Sequence, residues 1–315
     1  MAATSARPEN SAVRYNRAVA NRRGQFATLA PALAAPLLFG LGTVASKPLL
    51  SDMPPALLAG VLYLGAGLGL GAARLMRPRA AAAAGTALKR ADLPWLAGAT
   101  VCGGVIGPLL LMLGLAGTAA SVASLLLILE TAFTACLAWT VFGERATARL
   151  ALGIVLALVG GAALSWPDAS SVANARWHGS ALVAAACLAW GFDNNLSQRI
   201  SSKDPVSIAA IKGLVAGSMN VALAVVVGTR MPAPILLAEA GLLGFLSYGV
   251  SLVCFILSLR RLGSARTSLY FALAPFFGAA AGILFLHDPV SPRLALGGGF
   301  MAAAALFGLQ APSES

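Results

Sequence analysis

The chain has 315 residues, of which 58% are hydrophobic and 10% charged, and its mean hydropathy is +0.83. A soluble domain carries about 25% charged residues, so this composition excludes an ordinary soluble protein and points to membrane helices of about twenty residues each. The 4 cysteines stand singly in apolar runs and the 2 histidines lie far apart, which argues against a disulfide scaffold and a histidine metal site.

Residues 1–25 are polar and basic, with Arg7, Arg14, Arg17, Arg22 and Arg23, and read as a disordered cytoplasmic tail. The apolar run that follows continues to Leu50, too far for a cleaved signal peptide, so it reads as a first span that stays. Ten apolar segments are expected, at about 26–48, 55–75, 94–116, 119–141, 148–166, 179–199, 205–228, 236–259, 264–286 and 290–309. Alternating barrel strands are excluded by their length. Spans 3 and 4 are joined almost without a polar gap, at Ala116-Gly117-Thr118.

The formal net charge of +11 is a topology signal. With the N-terminus cytoplasmic, 17 of the 22 Lys and Arg residues fall on the cytoplasmic side and 3 (Arg176, Arg230, Arg293) outside, with Lys47 and Lys212 inside spans. That asymmetry obeys the positive-inside rule and leaves no need for nucleic acid. The expected location is the plasma (inner) membrane, multi-pass, with both termini cytoplasmic.

An internal repeat follows. Arg149-Leu150-Ala151-Leu152-Gly153 recurs as Arg293-Leu294-Ala295-Leu296-Gly297, an offset of 144 that also pairs Ser124 with Ser268, Leu129 with Leu273, Phe133 with Phe277 and Glu144 with Asp288. Phe39-Gly40 resembles Trp190-Gly191 at the front of each half. The halves are 26–166 and 179–310. Five spans per half is an odd number, so the halves insert in opposite senses, and inverted repeats place a substrate site near the midplane between them.

At this point the chain resembles the EamA-type ten-helix transporters of the drug/metabolite transporter superfamily. The resemblance is carried by Ser121-Val122-Ala123-Ser124-Leu125-Leu126-Leu127-Ile128-Leu129-Glu130, by Phe142-Gly143-Glu144-Arg145, and by Leu273-Ala274-Pro275. Thr131 stands where the family usually has Pro, and Ala274 where a second Glu would be. The resemblance implies an all-α membrane protein of two inverted five-helix repeats, a central cavity lined by helices 1, 3, 4, 6, 8 and 9, and movement of small metabolites, often outward.

Ionisable groups inside spans are costly and default to functional suspects. Glu130 lies at the centre of span 4, with Thr134 one turn on. An isolated buried carboxylate tends toward its neutral form, which suits proton coupling or amine binding; the structural alternative is a neutral acid bonded to a neighbouring helix. Asp193 and Lys212 are about equally far from the turn at Ser202-Lys203, so an antiparallel hairpin puts them at one depth, as a charge-compensating pair. Asn194 extends this polar run, and Trp190 beside an acid is a workable clamp for a cationic or aromatic ligand. Gly40, Thr43 and Lys47 share one face of span 1, with Lys47 expected to snorkel. Ser268 and Tyr270 precede Pro275, which is expected to kink span 9. Tyr248, with Ser247 and Ser251, and Asn220 read as helix–helix glue or ligand contacts. The glycine run Gly65, Gly67, Gly69 and Gly71 reads as close packing, and Glu144 and Asp288 as acids favouring the N-termini of spans 5 and 10.

No HExxH, GxSxG or P-loop is present. The chain therefore reads as a secondary transporter, and an enzyme is not expected. The alternative is a lipid-handling enzyme or scaffold without transport. Expected partners are a small-molecule substrate and the lipid bilayer, with no nucleic acid and no cofactor, and with a homodimer left open.

Overall fold

The computed structural model describes residues 11–76, 88–143, 148–165, 176–200, 202–262 and 270–309. The described residues are almost wholly helical. Helix α1 runs Ser11–Leu49, so it begins inside the basic stretch read as a tail. It is followed by α2 (Pro55–Leu75), α3 (Arg90–Gly117), α4 (Ala120–Thr140), α5 (Ala148–Ser165), α6 (Arg176–Gln198) and α7 (Pro205–Val226). Helix α8 is continuous through Pro234–Gly244, Phe245–Val250 and Ser251–Leu262. The last two are α9 (Ala274–Phe285) and α10 (Pro292–Leu309).

Among the described residues, six stretches are long and apolar enough to cross a membrane: Leu29–Leu49 of α1, all of α2, α3 and α4, Val206–Val226 of α7 and Pro234–Ser258 of α8. Helices α5, α9 and α10 hold shorter apolar stretches. Helix α6 carries Asp193-Asn194-Asn195, which lowers its apolar character where it meets its partners.

Local chemistry sets the helix ends. Pro55 and Pro205 occupy first turns, where the missing N–H has no intrahelical partner in any case. Asp204 caps α7 by accepting from Val206 N at 3.2 Å, and Ser291 caps α10 by accepting from Leu294 N at 3.1 Å. Pro275 likewise stands in the first turn of α9. It follows an interruption of the helix: Tyr270 and Phe271 are helical, a two-residue turn comes next, and Leu273 N–H bonds to Tyr270 O at 3.1 Å before α9 begins, at the place where Pro275 was expected to kink span 9. Helix α4 breaks at the matching place without a proline. Glu130 N–H and Thr131 N–H reach back three residues, to Leu127 O and Ile128 O, at 3.1 Å each.

Helices pack through small residues, as expected where lipid gives no hydrophobic incentive for association. The main pairings are α2 with α7, α2 with α8, α5 with α10, α3 with α6, α1 with α8, α4 with α6, α1 with α9 and α4 with α9. A Cβ on Gly213 would lie 2.8 Å from Gly67 Cα, and one on Gly65 would lie 2.0 Å from Gly241 O. Gly69 faces the Phe245 ring. Gly71 has nothing within 4 Å and takes no part in this packing.

Two helices contain a π-helical turn, Val101–Ile106 in α3 and Phe245–Val250 in α8. Gly107 N–H reaches five residues back to Cys102 O, and Ser251 N–H does the same to Leu246 O. The two turns are 144 residues apart, the offset of the sequence repeat. The same offset relates Gly143 (φ 76°) to His287 (φ 55°) after α4 and α9.

Candidate functional site

The site grows from the π turn of α3. A π turn leaves a carbonyl without its ordinary helical partner, and such turns recur at functional sites. Here Gly107 N–H is taken by Cys102 O, so it is lost to Gly103 O. The next N–H that Gly103 O could take belongs to position 108, which is proline and has none. Three side chains fill the gap. Trp190 Nε1 donates to Gly103 O at 2.9 Å and Tyr63 Oη at 3.0 Å, while Asn220 Nδ2 donates to Gly104 O at 3.2 Å. Asn220 thus acts as glue between α7 and α3.

The absence of a side chain at Gly103 makes room for Asp193. A Cβ there would lie 1.7 Å from Asp193 Oδ2. Asp193 pairs with Lys212, whose Nζ lies 2.5 Å from Oδ1 and 2.6 Å from Oδ2, and Ser197 Oγ donates to Oδ1 at 2.8 Å. The equal-depth pairing across the α6–α7 hairpin is present, and Asp193 is 8% exposed. Both charges are compensated within the bilayer-spanning part of the fold.

One residue further on, the direction changes. Asn194 Nδ2 donates to Glu130 Oε1 at 2.9 Å and to Thr134 Oγ1 at 3.1 Å, and Thr134 Oγ1 donates to Glu130 O at 2.7 Å. Asn195 Nδ2 donates to Thr134 O at 3.0 Å and to Gly191 O at 2.8 Å, fixing α6 against α4. The break in α4 lies directly before Glu130 and turns it toward α6. Glu130 and Thr134 are half-buried, and Asn194 and Thr131 are exposed. Glu130 thus receives an amide rather than a cation.

The remaining sequence candidates lie elsewhere. Gly40 is a contact point: a Cβ there would lie 2.3 Å from Ala274 O of α9. Thr43 is buried at 1% exposure. Lys47 does not snorkel to water; its Nζ donates to Leu115 O at 2.6 Å and Thr118 O at 2.5 Å, capping the C-terminal end of α3, where orphan carbonyls and the helix dipole favour a cation. Asp288 accepts from Ser121 N at 2.7 Å, so it serves the N-terminus of α4 and not that of α10. Glu144 and Ser268 lie outside the described residues. Tyr248 meets Tyr63 at a tilt (centroids 5.4 Å apart) and Phe39 edge-on at 5.8 Å, while Phe39 meets Phe271 at 5.5 Å. Tyr270 is half-buried at the turn before α9. Sequence reasoning missed Tyr63, Gly103 and the π turn, and took Asn195 only as part of a polar run; the available signal was Gly103-Gly104 followed by Pro108.

Comparison with known proteins gives a consistent picture. The EamA-like transporter family model matches residues 27–166 and again 177–309. An uncharacterized transporter of Methanothermobacter thermautotrophicus (strain ATCC 29096 / DSM 1053 / JCM 10044 / NBRC 100330 / Delta H) is 30% identical over 272 residues, covering 82% of this chain and 79% of that protein. A crystal structure described simply as that of a protein shares the fold with a TM-score of 0.62 at 19% identity, over 89% of this chain and 96% of the other. The family is one of transporters. With its apolar helices and its two family matches, the chain belongs to the EamA-like transporter family and is a multi-pass membrane protein.

Proposed function

We propose that the chain is a secondary transporter that exports small organic metabolites or drugs by alternating access between two inverted five-helix halves, 26–166 and 179–310, with Glu130 as the coupling carboxylate. The observation that carries this is the inequality of the intramembrane charges. Asp193 and Lys212 neutralise each other, Lys47 is spent on the end of α3, and Glu130 meets the neutral amide of Asn194. A carboxylate held by a neutral donor can gain or lose a proton without breaking an ion pair, which is what coupling to a proton gradient needs.

The two-half reading has separate support. The family model matches twice. The π turns and the left-handed residues Gly143 and His287 repeat at the offset of the sequence repeat. Two of the helix pairings recur when each helix is exchanged for the one five later: α3–α6 becomes α8–α1, and α4–α6 becomes α9–α1. Two halves related in this way and containing an odd number of spans stand in opposite senses, the arrangement that rocks about a midplane site.

The test is transport by purified protein in proteoliposomes. The substrate is first found by thermal shift against amino acids, amines, nucleosides and cationic drugs. An imposed pH gradient drives accumulation in the native protein, and collapsing the gradient with an ionophore abolishes it. Glu130→Gln keeps substrate exchange and loses gradient-driven accumulation; unchanged accumulation removes Glu130 from the coupling role. The plasma-membrane topology is tested by cysteines placed at Ser5 and Ser313, which resist impermeant label from outside intact cells.

A further inference from the structure

Two residues, Thr118 and Ala119, join α3 to α4. Helix α3 ends at Gly117 and α4 begins at Ala120. Carbonyls at the end of one helix and amides at the start of the next are left without intrahelical partners at the same place. Each is met by a charge of the favourable sign. Lys47 Nζ of α1 donates to Leu115 O and Thr118 O, and Asp288 Oδ2 from the turn between α9 and α10 accepts from Ser121 N. The two charges also feel one another. Lys47 comes from the first half of the sequence and Asp288 from the second.

The seam behind the corner is different. The hydroxyls of Thr118, Ser121 and Ser124 are buried and have no hydrogen-bond partner. Two of them face glycines: a Cβ on Gly179 would lie 2.2 Å from Thr118 Oγ1, and one on Gly278 would lie 2.5 Å from Ser124 Oγ. Small surfaces without directional bonds part and re-form at little cost, so direction at this corner comes from Lys47 and Asp288. Asp288 is presented by a residue under strain. His287 holds φ 55°, whereas glycine fills the matching position, Gly143 at 76°. Meanwhile the exposed members of the polar site, Thr131 and Asn194, lie beyond the midpoint of α4 and of α6, away from the corner.

We propose that Lys47 and Asp288 form a two-point latch. It ties the α3–α4 corner to α1 and to the α9–α10 turn, closes the site on the face that the charge asymmetry assigns to the outside, and must release for the site to open there. The proposal rests on the alternating-access reading above.

The experiment reads access rather than coupling, so it stands or fails apart from the role of Glu130. In a background with Cys102, Cys136, Cys187 and Cys254 replaced, Thr131→Cys is labelled from outside by an impermeant thiol reagent in right-side-out vesicles. Asp288→Asn and Lys47→Met each raise the outside rate at least about fivefold, as expected for loss of a helix-terminus charge contact. Lys47→Arg keeps it low, and His287→Gly leaves it unchanged. A rate in both latch variants equal to that of the latched protein overturns the proposal. If Lys47→Met does not fold, spin labels at Ser51 and Val290 in Asp288→Asn supply the second reading. A new, longer distance supports the latch, and an unchanged single distribution refutes it.

Discussion

The two π turns occupy matching places in α3 and α8 and have been put to different uses. In α3, Pro108 deprives the turn of an N–H, and Gly103 gives up its side chain to Asp193. In α8 the position matching Pro108 is Leu252, which retains its N–H, and the position matching Gly103 is Ser247. Ser247 Oγ faces Gly42 of α1, where a Cβ would lie 2.2 Å away. So the bulky partner is on α6 in one junction and on the π turn in the other. The surroundings diverge accordingly: Trp190, Tyr63 and the Asp193–Lys212 pair gather at α3, while Phe39, Tyr248 and Phe271 gather at α8. The same backbone device supports a polar site in one copy and an aromatic contact in the other. The site therefore depends on side chains the halves do not share.

The largest effect that bears on this contrast is expected at the ion pair. Removing one partner of a buried pair leaves an uncompensated charge and costs about 3–5 kcal/mol. Asp193→Asn and Lys212→Met each lose most folded protein by size-exclusion chromatography and thermal melting. The double variant recovers much of it; a double as damaged as the sum of the singles shows that the two are independent.

Next is the π turn itself. Trp190→Phe removes one of two donors to Gly103 O and costs about 1 kcal/mol, as a neutral hydrogen bond does. With Tyr63→Phe added, the carbonyl is left unsatisfied and the cost rises to about 1–3 kcal/mol beyond the first change. At the α8 turn, Tyr248→Phe leaves ring packing intact and shifts the melting temperature less. Equal shifts at both turns would erase the contrast.

The glycines of α2 give a smaller effect with an internal control. Gly67→Ala forces α2 and α7 apart and lowers thermal stability, whereas Gly71→Ala meets open space and is neutral or raises it slightly, by about 0.5–1 kcal/mol from helix propensity. A loss at Gly71 equal to that at Gly67 would contradict the packing described.

The smallest effect is at the bridge between Arg74 and Asp204, 2.5 Å apart and partly exposed. Burial pushes the Asp204 carboxyl up, but hydrogen bonds from Ser207 and Val206 and the Arg74 charge outweigh it and hold the group below its ordinary value. A carboxyl depressed on folding stabilises the fold above its unfolded value, about 3.9, and loses that contribution as pH falls through the depressed one. Asp204→Asn therefore has its full, small cost at neutral pH, through the lost charge contact with Arg74 and the weakened α7 cap, and the difference from the native protein narrows in acid. A difference that widens in acid contradicts this.

Much of this was legible in sequence. The basic residues and apolar runs placed the helices, and counting from the Ser202-Lys203 turn placed Asp193 opposite Lys212, because a hairpin equates sequence distance with depth. Glu130, Thr134 and Asn194 were each legible as candidates, but their contact was not, since it depends on a break in α4 that appears although Thr131 replaces the usual proline. Lys47 and Asp288 were misread for a different reason. Their partners lie 68, 71 and 167 residues away, and a helix-end rule applied along the chain points to the adjacent helix rather than to one across the bundle. Pro275 was legible as a place where span 9 is interrupted, but the two-residue turn before it was not, because apolar sequence conceals it.

The central claim is that Glu130 carries the coupling and that the Asp193–Lys212 pair holds the site in place. One measurement separates them: gradient-driven accumulation and gradient-free exchange of the same substrate in proteoliposomes, for Glu130→Gln and for the Asp193→Asn/Lys212→Met double variant. The account predicts that Glu130→Gln exchanges substrate but no longer responds to the pH gradient, while the double variant, once folded, responds as the native protein does. A Glu130→Gln protein that still accumulates substrate with the gradient, beside a double variant that does not, would contradict it.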